Sequence, residues 1–219
     1  QQWRNSARVM HSLLCIHETR FQVLLSIRTC AKVRTLRTFA LHELFCQNDN
    51  IERNVLLSLT AIVTTSRDPN SVNTHLAEQT AQNLGVPYIP RGTLSLSELR
   101  ERHDAPCILV AKSGTLMLET PDGELFFHPN MSHLRVKNLR KGQHDNMAQA
   151  MGLAPGMSVL DCTLGFGADA IVASFVTGAE GRVVGLEKSP LIAAVTAHGL
   201  ATFDRENEVM TAAMRRIEA

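Results

Sequence analysis

No glycine and no proline occurs in the first 54 residues of this 219-residue chain. A segment without them has poor turn signals, which excludes a compact hairpin-rich or multi-turn unit there. It is also poor in acidic residues, rich in Arg, and begins without Met. Val9, Leu13, Ile16 and Phe21 to Leu25 fit one helix, and Leu36 to Phe45 fit a second. Residues 1–54 therefore read as an atypical basic extension, loosely helical, upstream of any evolved fold. A basic, acid-poor start also has the composition of an organelle presequence.

The five cysteines are odd in number and lack framework spacing, which excludes a disulfide scaffold and favours a reducing compartment. His42 and Cys46 stand one helical turn apart and Cys15 is near His17, yet no paired C-x-x-C accompanies them, so no metal is expected. Long apolar runs are missing too. The longest, Val55 to Val63, is broken by Ser58 and Thr60 and is too short to span a bilayer. With no secretory signal evident, the composition predicts a cytoplasmic protein with no membrane partner. Nor is there a large charge of either sign. A net charge of +1 gives no global attraction to nucleic acid, so any such contact must come from a local patch. A hydrophobic content of 44% is enough for a real core.

Residues 55–142 carry the signals of a small α/β domain. Ala61 to Thr65 reads as a strand, Pro69 to Leu84 as a helix starting at Asp68, and Val86 to Ile89 as a second strand. Ser95 with Glu98 makes a capping box. Cys107 to Ala111, Thr115 to Glu119 and Glu124 to His128 form a meander joined by Ser113-Gly114 and Pro121-Asp122-Gly123. Its last segment, His128 to Gly142, gathers His133, Arg135, Lys137, Arg140 and Lys141 on about two and a half helical turns. Met131, Leu134, Val136 and Leu139 give it an apolar side. Such a helix can engage several phosphates, positioning a nucleic acid without reading its sequence; a solvated basic face is the plainer alternative.

Residues 143–219 read as the first part of a Rossmann-like cofactor domain. Met157 to Leu160 is an apolar strand ending at Asp161, followed by a turn through Thr163, Gly165 and Gly167. Ala168 to Val176 is a helix whose N-terminus offers free N–H donors, and Arg182 to Leu186 a second strand ending at Glu187. An acid at that distance from the loop can accept bonds from both ribose hydroxyls. Gly165-Phe166-Gly167-Ala168-Asp169-Ala170 also fits the G-x-G-x-x-A dinucleotide fingerprint, so a nicotinamide or flavin enzyme, or a non-catalytic nucleotide-binding module, stays open. Asp161 and Asp169 tilt the balance to S-adenosylmethionine, whose methionine part is cationic and carries no phosphate. Cys162 lies inside the glycine motif and reads as a packed side chain rather than a nucleophile. Ser189-Pro190 starts a helix to Thr202, and Arg205 to Ile217 reads as another.

The run LDCTLGFGADAIVAS, with APGMSV before it and GLEKSPLIA after it, resembles class I methyltransferases related to ribosomal small subunit methyltransferase J. The pattern D-x-T-x-G-x-G-x-D-A is met by Asp161, Thr163, Gly165, Gly167, Asp169 and Ala170. IVTTSRDPN, GVPYIPR and FFHPNMSHLRVKNLRKG are similar to a shorter Gram-positive branch of that group. The resemblance implies a Rossmann-like methyltransferase fold and S-adenosyl-L-methionine held by Asp161, Thr163, Gly165, Phe166, Gly167, Asp169, Glu187 and Lys188. For the better-known branch it implies methylation of guanine N2 in small-subunit rRNA, hence a ribosomal RNA partner. That family carries an Asp-Pro-Met-aromatic motif after its fourth strand, and the run is not in these 219 residues. The expectation is a C-terminally truncated chain whose catalytic residues lie elsewhere.

Overall fold

Strands buried on both faces and strands that alternate meet in one sheet of this chain, Ala61–Thr65 and Cys107–Lys112 being of the first kind and Thr115–Thr120 of the second. The computed structural model describes residues 60–205 and 207–219, with two strands near the start, β1 (Phe21–Leu24) and β2 (Arg34–Thr35). The order continues through β3 (Ala61–Thr65), α1 (Ser71–Leu84), α2 (Leu96–His103), β4 (Cys107–Lys112), β5 (Thr115–Thr120), β6 (Gly123–Phe126), α3 (Asn130–Arg140) and α4 (Asn146–Ala150). Then come β7 (Ser158–Asp161), α5 (Ala168–Thr177), β8 (Arg182–Gly185), α6 (Pro190–Thr202), α7 (Glu208–Arg215) and β9 (Ile217–Glu218).

The first sheet runs β3-β4-β5-β6, with β3 and β4 parallel and the rest antiparallel. All five residues of β3 are buried although it ends the strand order, because a bridge to Tyr88 lies along its outer side. Helix α1 starts later than Asp68-Pro69 suggests. Asn70 is the cap, its side chain accepting from the Asn73 N–H at 2.8 Å. The Ser95–Glu98 capping box forms as its spacing predicts. Val86 to Ile89 makes only a parallel bridge from Tyr88 to Val63. Pro87 and Pro90 lack the N–H groups that would extend the pairing.

The second sheet has the order β2-β1-β7-β8-β9, and β1, β7, β8 and β9 are parallel. The unit β7–α5–β8 is Rossmann-like, a right-sized crossover that sets the glycine turn at the carboxyl end of β7. Phe21–Leu24 forms a strand where a helix is expected. It is the last part of the helix expected over Val9 to Leu25, and it uses its backbone groups in parallel pairing with β7 instead. The helices expected over Val9–Ile16 and Leu36–Phe45, and the Cys15/His17 and His42/Cys46 pairs, lie outside the described residues. At the other end, the helix expected over Arg205 to Ile217 stops at Arg215. Ile217 and Glu218 then pair with β8, and Glu218 takes a two-pronged ion pair from Arg182 at 2.8 and 2.7 Å.

One apolar cluster joins the two sheets. Val63, Leu109 and Leu118 share it with Ile171, Val195, Leu200, Met210 and Met214. Three contacts fasten the join: Phe127 lies on Gly199, His198 Nε2 is 2.8 Å from the Gly114 carbonyl, and Ser132 Oγ donates to the Ala168 carbonyl at 3.1 Å. The last of these lays α3 against the start of α5.

Candidate cofactor site

The turn between β7 and α5 keeps its large side chains inside. Leu164 is buried, and its side chain lies so close to Gly185 that a Cβ there would stand 2.5 Å from Leu164 Cδ1. Phe166 packs against the main core. Gly165 and Gly167 take left-handed backbone, φ +52° and +75°, which glycine alone adopts without strain. A Cβ on Gly165 would meet nothing closer than the Thr163 carbonyl at 3.9 Å, so the turn presents bare backbone on its outer side. Its position is set from both flanks. The Leu164 N–H donates to the Leu186 carbonyl at 2.9 Å, and Thr196 Oγ1, from α6, donates to the Gly165 carbonyl at 2.6 Å. No sequence signal singled out Thr196, because its partner lies 31 residues away.

Three carboxylates gather at this turn. Asp161 is 1% exposed, and both of its described hydrogen bonds fall on Oδ1, from the Thr163 N–H at 2.9 Å and the Thr163 hydroxyl at 3.5 Å. Burial raises its pKa to about 6, with the charges of Asp169 and Glu187 adding to the effect. Glu187 accepts from the Gly165 N–H through Oε2 and from the Ser189 N–H through Oε1, each at 2.9 Å. It is thus a brace for the turn, and each oxygen keeps acceptor capacity for a further donor. Asp169 sits in the first turn of α5, favourable for an acid. Lys188 is exposed. Cys162 is half-buried, and burial together with the Asp161 charge pushes its thiol up, away from the thiolate a nucleophile needs.

The basic helix divides differently from its sequence pattern. Val136 is buried and Leu139 packs on the core, but Met131 is 64% and Leu134 53% exposed. Lys137, Arg140 and Lys141 are exposed and His133 is half-buried. Arg135 turns inward. Its Nε and Nη2 grip Asp145 at 2.7 and 3.0 Å, and its Nη1 reaches Asp169 at 2.5 Å. Asp145 is held well below the usual carboxylate range, chiefly by that bond. Sequence separations of 10 and 34 residues hid both partners.

The donor set fits a cofactor that carries positive charge and no phosphate. Asp161 is a buried carboxylate whose charged neighbours at the turn, Asp169 and Glu187, are also acids. Asp169 shares the Arg135 guanidinium with Asp145, so its opposition to a pyrophosphate is weakened, and Asp161 and Glu187 add to that opposition. The open backbone at Gly165 lets a ligand come close to the turn.

A family model described as "Putative SAM-dependent methyltransferase" matches residues 94–219, from the start of the capping-box helix through β9. The chain is also similar to "Uncharacterized protein YpiP" of Bacillus subtilis (strain 168), 35% identical over 157 residues, covering 72% of this chain and 61% of that protein. It therefore spans less than two thirds of that relative's length.

Proposed function

The chain belongs to the SAM-dependent methyltransferase family, and from that premise we propose that it binds S-adenosyl-L-methionine on the Gly165 turn to methylate RNA, at guanine N2 of small-subunit rRNA. The cofactor, when bound, supplies an electrophilic methyl carbon on a sulfonium sulfur. Asp161 offers its buried negative charge to the cationic methionine part. Glu187, already bonded to the Gly165 N–H, has lone pairs left for ribose hydroxyls. Gly165 gives backbone access that a side chain would block, and Gly167 lets the turn pack on Leu200 and Thr196. Thr196, Leu164 and Glu187 fix the turn before the ligand arrives, and alignment of this kind supplies much of the rate of a displacement.

The observation that carries the reading is Asp161, a buried carboxylate beside a turn of exposed backbone. Calorimetry tests it: heat with S-adenosylhomocysteine and none with NAD is expected, and the reverse would return the nicotinamide oxidoreductase reading. Glu187→Ala should weaken that binding by roughly 1.5–3 kcal/mol, the size of hydrogen bonds to a charged group. Unchanged affinity would remove Glu187 from the site.

Support for an RNA substrate comes from the outward face of α3, where Lys137, Arg140 and Lys141 are exposed beside Met131 and Leu134. Replacing all three cations by Ala should weaken RNA binding at low salt and lower the slope of log affinity against log salt by about 2. Filter binding across a salt series reads this directly. A slope equal to that of the wild type would show that the helix touches no phosphate.

A further inference from the structure

We propose that Arg135 is a positioning residue of the cofactor site, setting both the placement and the net charge of the Gly165 turn. The proposal rests on the reading that this turn binds S-adenosyl-L-methionine. Arg135 is the cation that links three elements. Its guanidinium grips the cap of α4 through Asp145, pairs with Asp169 in the first turn of α5, and is carried by α3. Ser132, one turn back along α3, binds the Ala168 carbonyl beside that same first turn. The two contacts together hold α3 across the opening of the cofactor helix.

The electrostatic consequence follows from counting charges. Asp161, Asp169 and Glu187 surround the turn, and Asp169 and Glu187 both act on Asp161. Arg135 sets one positive charge against Asp169 and Asp145 together, so the four carboxylates and one guanidinium stay net negative and its loss adds one more negative charge. Methyl donor and spent product differ by one charge, since the sulfonium becomes a neutral thioether when its methyl leaves. A site held at a fixed negative charge therefore favours donor over product by an amount its charge sets. With Arg135 present, that preference is moderated and product can depart. Without it, the turn should favour the cation more strongly while being held less firmly.

The test is the ratio of affinities, which loss of support alone does not move. Titration of the 219-residue chain with S-adenosylmethionine and with S-adenosylhomocysteine, at pH 8 and low salt, gives both constants. Arg135→Gln should weaken both ligands but raise the preference for the cationic one by roughly three- to tenfold, the effect of one unit charge across about 10 Å. Arg135→Lys should keep the wild-type ratio. Asp169→Asn should lower the ratio, and the Arg135→Gln/Asp169→Asn double variant should return it towards the wild-type value. Equal weakening of both ligands in Arg135→Gln, with the ratio unmoved, would overturn the proposal and leave the cofactor assignment standing. A wild-type chain that binds neither ligand would sink the assignment, and this inference with it.

Discussion

Replacing Asp161 with Asn should make the unliganded protein more stable and its cofactor binding much worse. Asp161 is buried at the end of β7, and its pKa is raised to about 6 from an ordinary value of 3.8. Above pH 6 the folded chain holds an ionised group that burial disfavours, whereas the unfolded chain holds the same group in water. The sign follows from proton counts. Between the two pKa values the folded state binds more protons than the unfolded state, so this group's contribution to stability falls as pH rises from 4 to 6 and is fully lost above. A shift of about two units corresponds to about 3 kcal/mol. Asn keeps the oxygen that accepts from the Thr163 N–H and removes the charge. Urea unfolding at pH 7.5 should therefore find Asp161→Asn more stable by up to about 3 kcal/mol, with the gap closing near pH 4. Asp145, Glu98 and Glu218 are shifted the other way, but they are common to both proteins and cancel in the difference.

The same charge should govern ligand binding. S-adenosylmethionine affinity should decline as pH drops through 6, where Asp161 takes up a proton, and S-adenosylhomocysteine affinity should decline less. Asp161→Asn should flatten the first profile onto the second. If the variant is no more stable than the wild type at pH 7.5, Asp161 has a cationic partner and its proposed role is wrong. Stability surrendered at one buried carboxylate is what a site built for a cation requires.

Gly199→Ala should destabilise the protein by about 2–3 kcal/mol, lowering Tm by roughly 5–10 °C. Gly199 lies in α6 against Phe127, and a Cβ there would stand 2.1 Å from Phe127 Cγ and 2.5 Å from Phe127 Cβ. Rotating the ring about Cβ–Cγ relieves neither contact, since both atoms lie on that axis, and swinging the side chain moves Cγ but leaves Cβ in place. Phe127 is buried and set edge-on to Phe203, ring centroids 5.8 Å apart, which limits its retreat. Alanine is the better helix former by about 1 kcal/mol, and the clash has to exceed that. In a Phe127→Ala background the same substitution should cost clearly less, because Cγ and the ring are gone and only the Cβ contact stays. A neutral Gly199→Ala in the wild-type background would mean that the two halves are not packed this closely.

How much of this could be read from the chain alone depends on how local each cause is. The turn through Gly165 and Gly167, the capping box at Ser95, and the Ser189-Pro190 helix start are written within a few residues, so spacing reveals them. The same holds for the strand ending at Asp161 and the second acid at Glu187, which follow one another in a single β–α–β unit. Asn70 displaced Asp68 as the cap because two candidates stood two residues apart and only one reached an N–H. The tail was misread for a similar reason: Met210, Ala213, Met214 and Ile217 keep helical spacing, yet Ile217 leaves the helix to pair with β8.

Sequence by itself determined the glycine turn, its flanking acids and the strands of the meander, since each follows from backbone sterics and nearest-neighbour hydrogen bonds. Only the tertiary structure decided which charges meet. The inward turn of Arg135 onto Asp145 and Asp169, the Thr196 bond to Gly165 and the Phe127–Gly199 contact join residues far apart in the chain. Burial and Coulomb forces act through space, so the charge state of Asp161 belongs to the folded assembly and to no stretch of it.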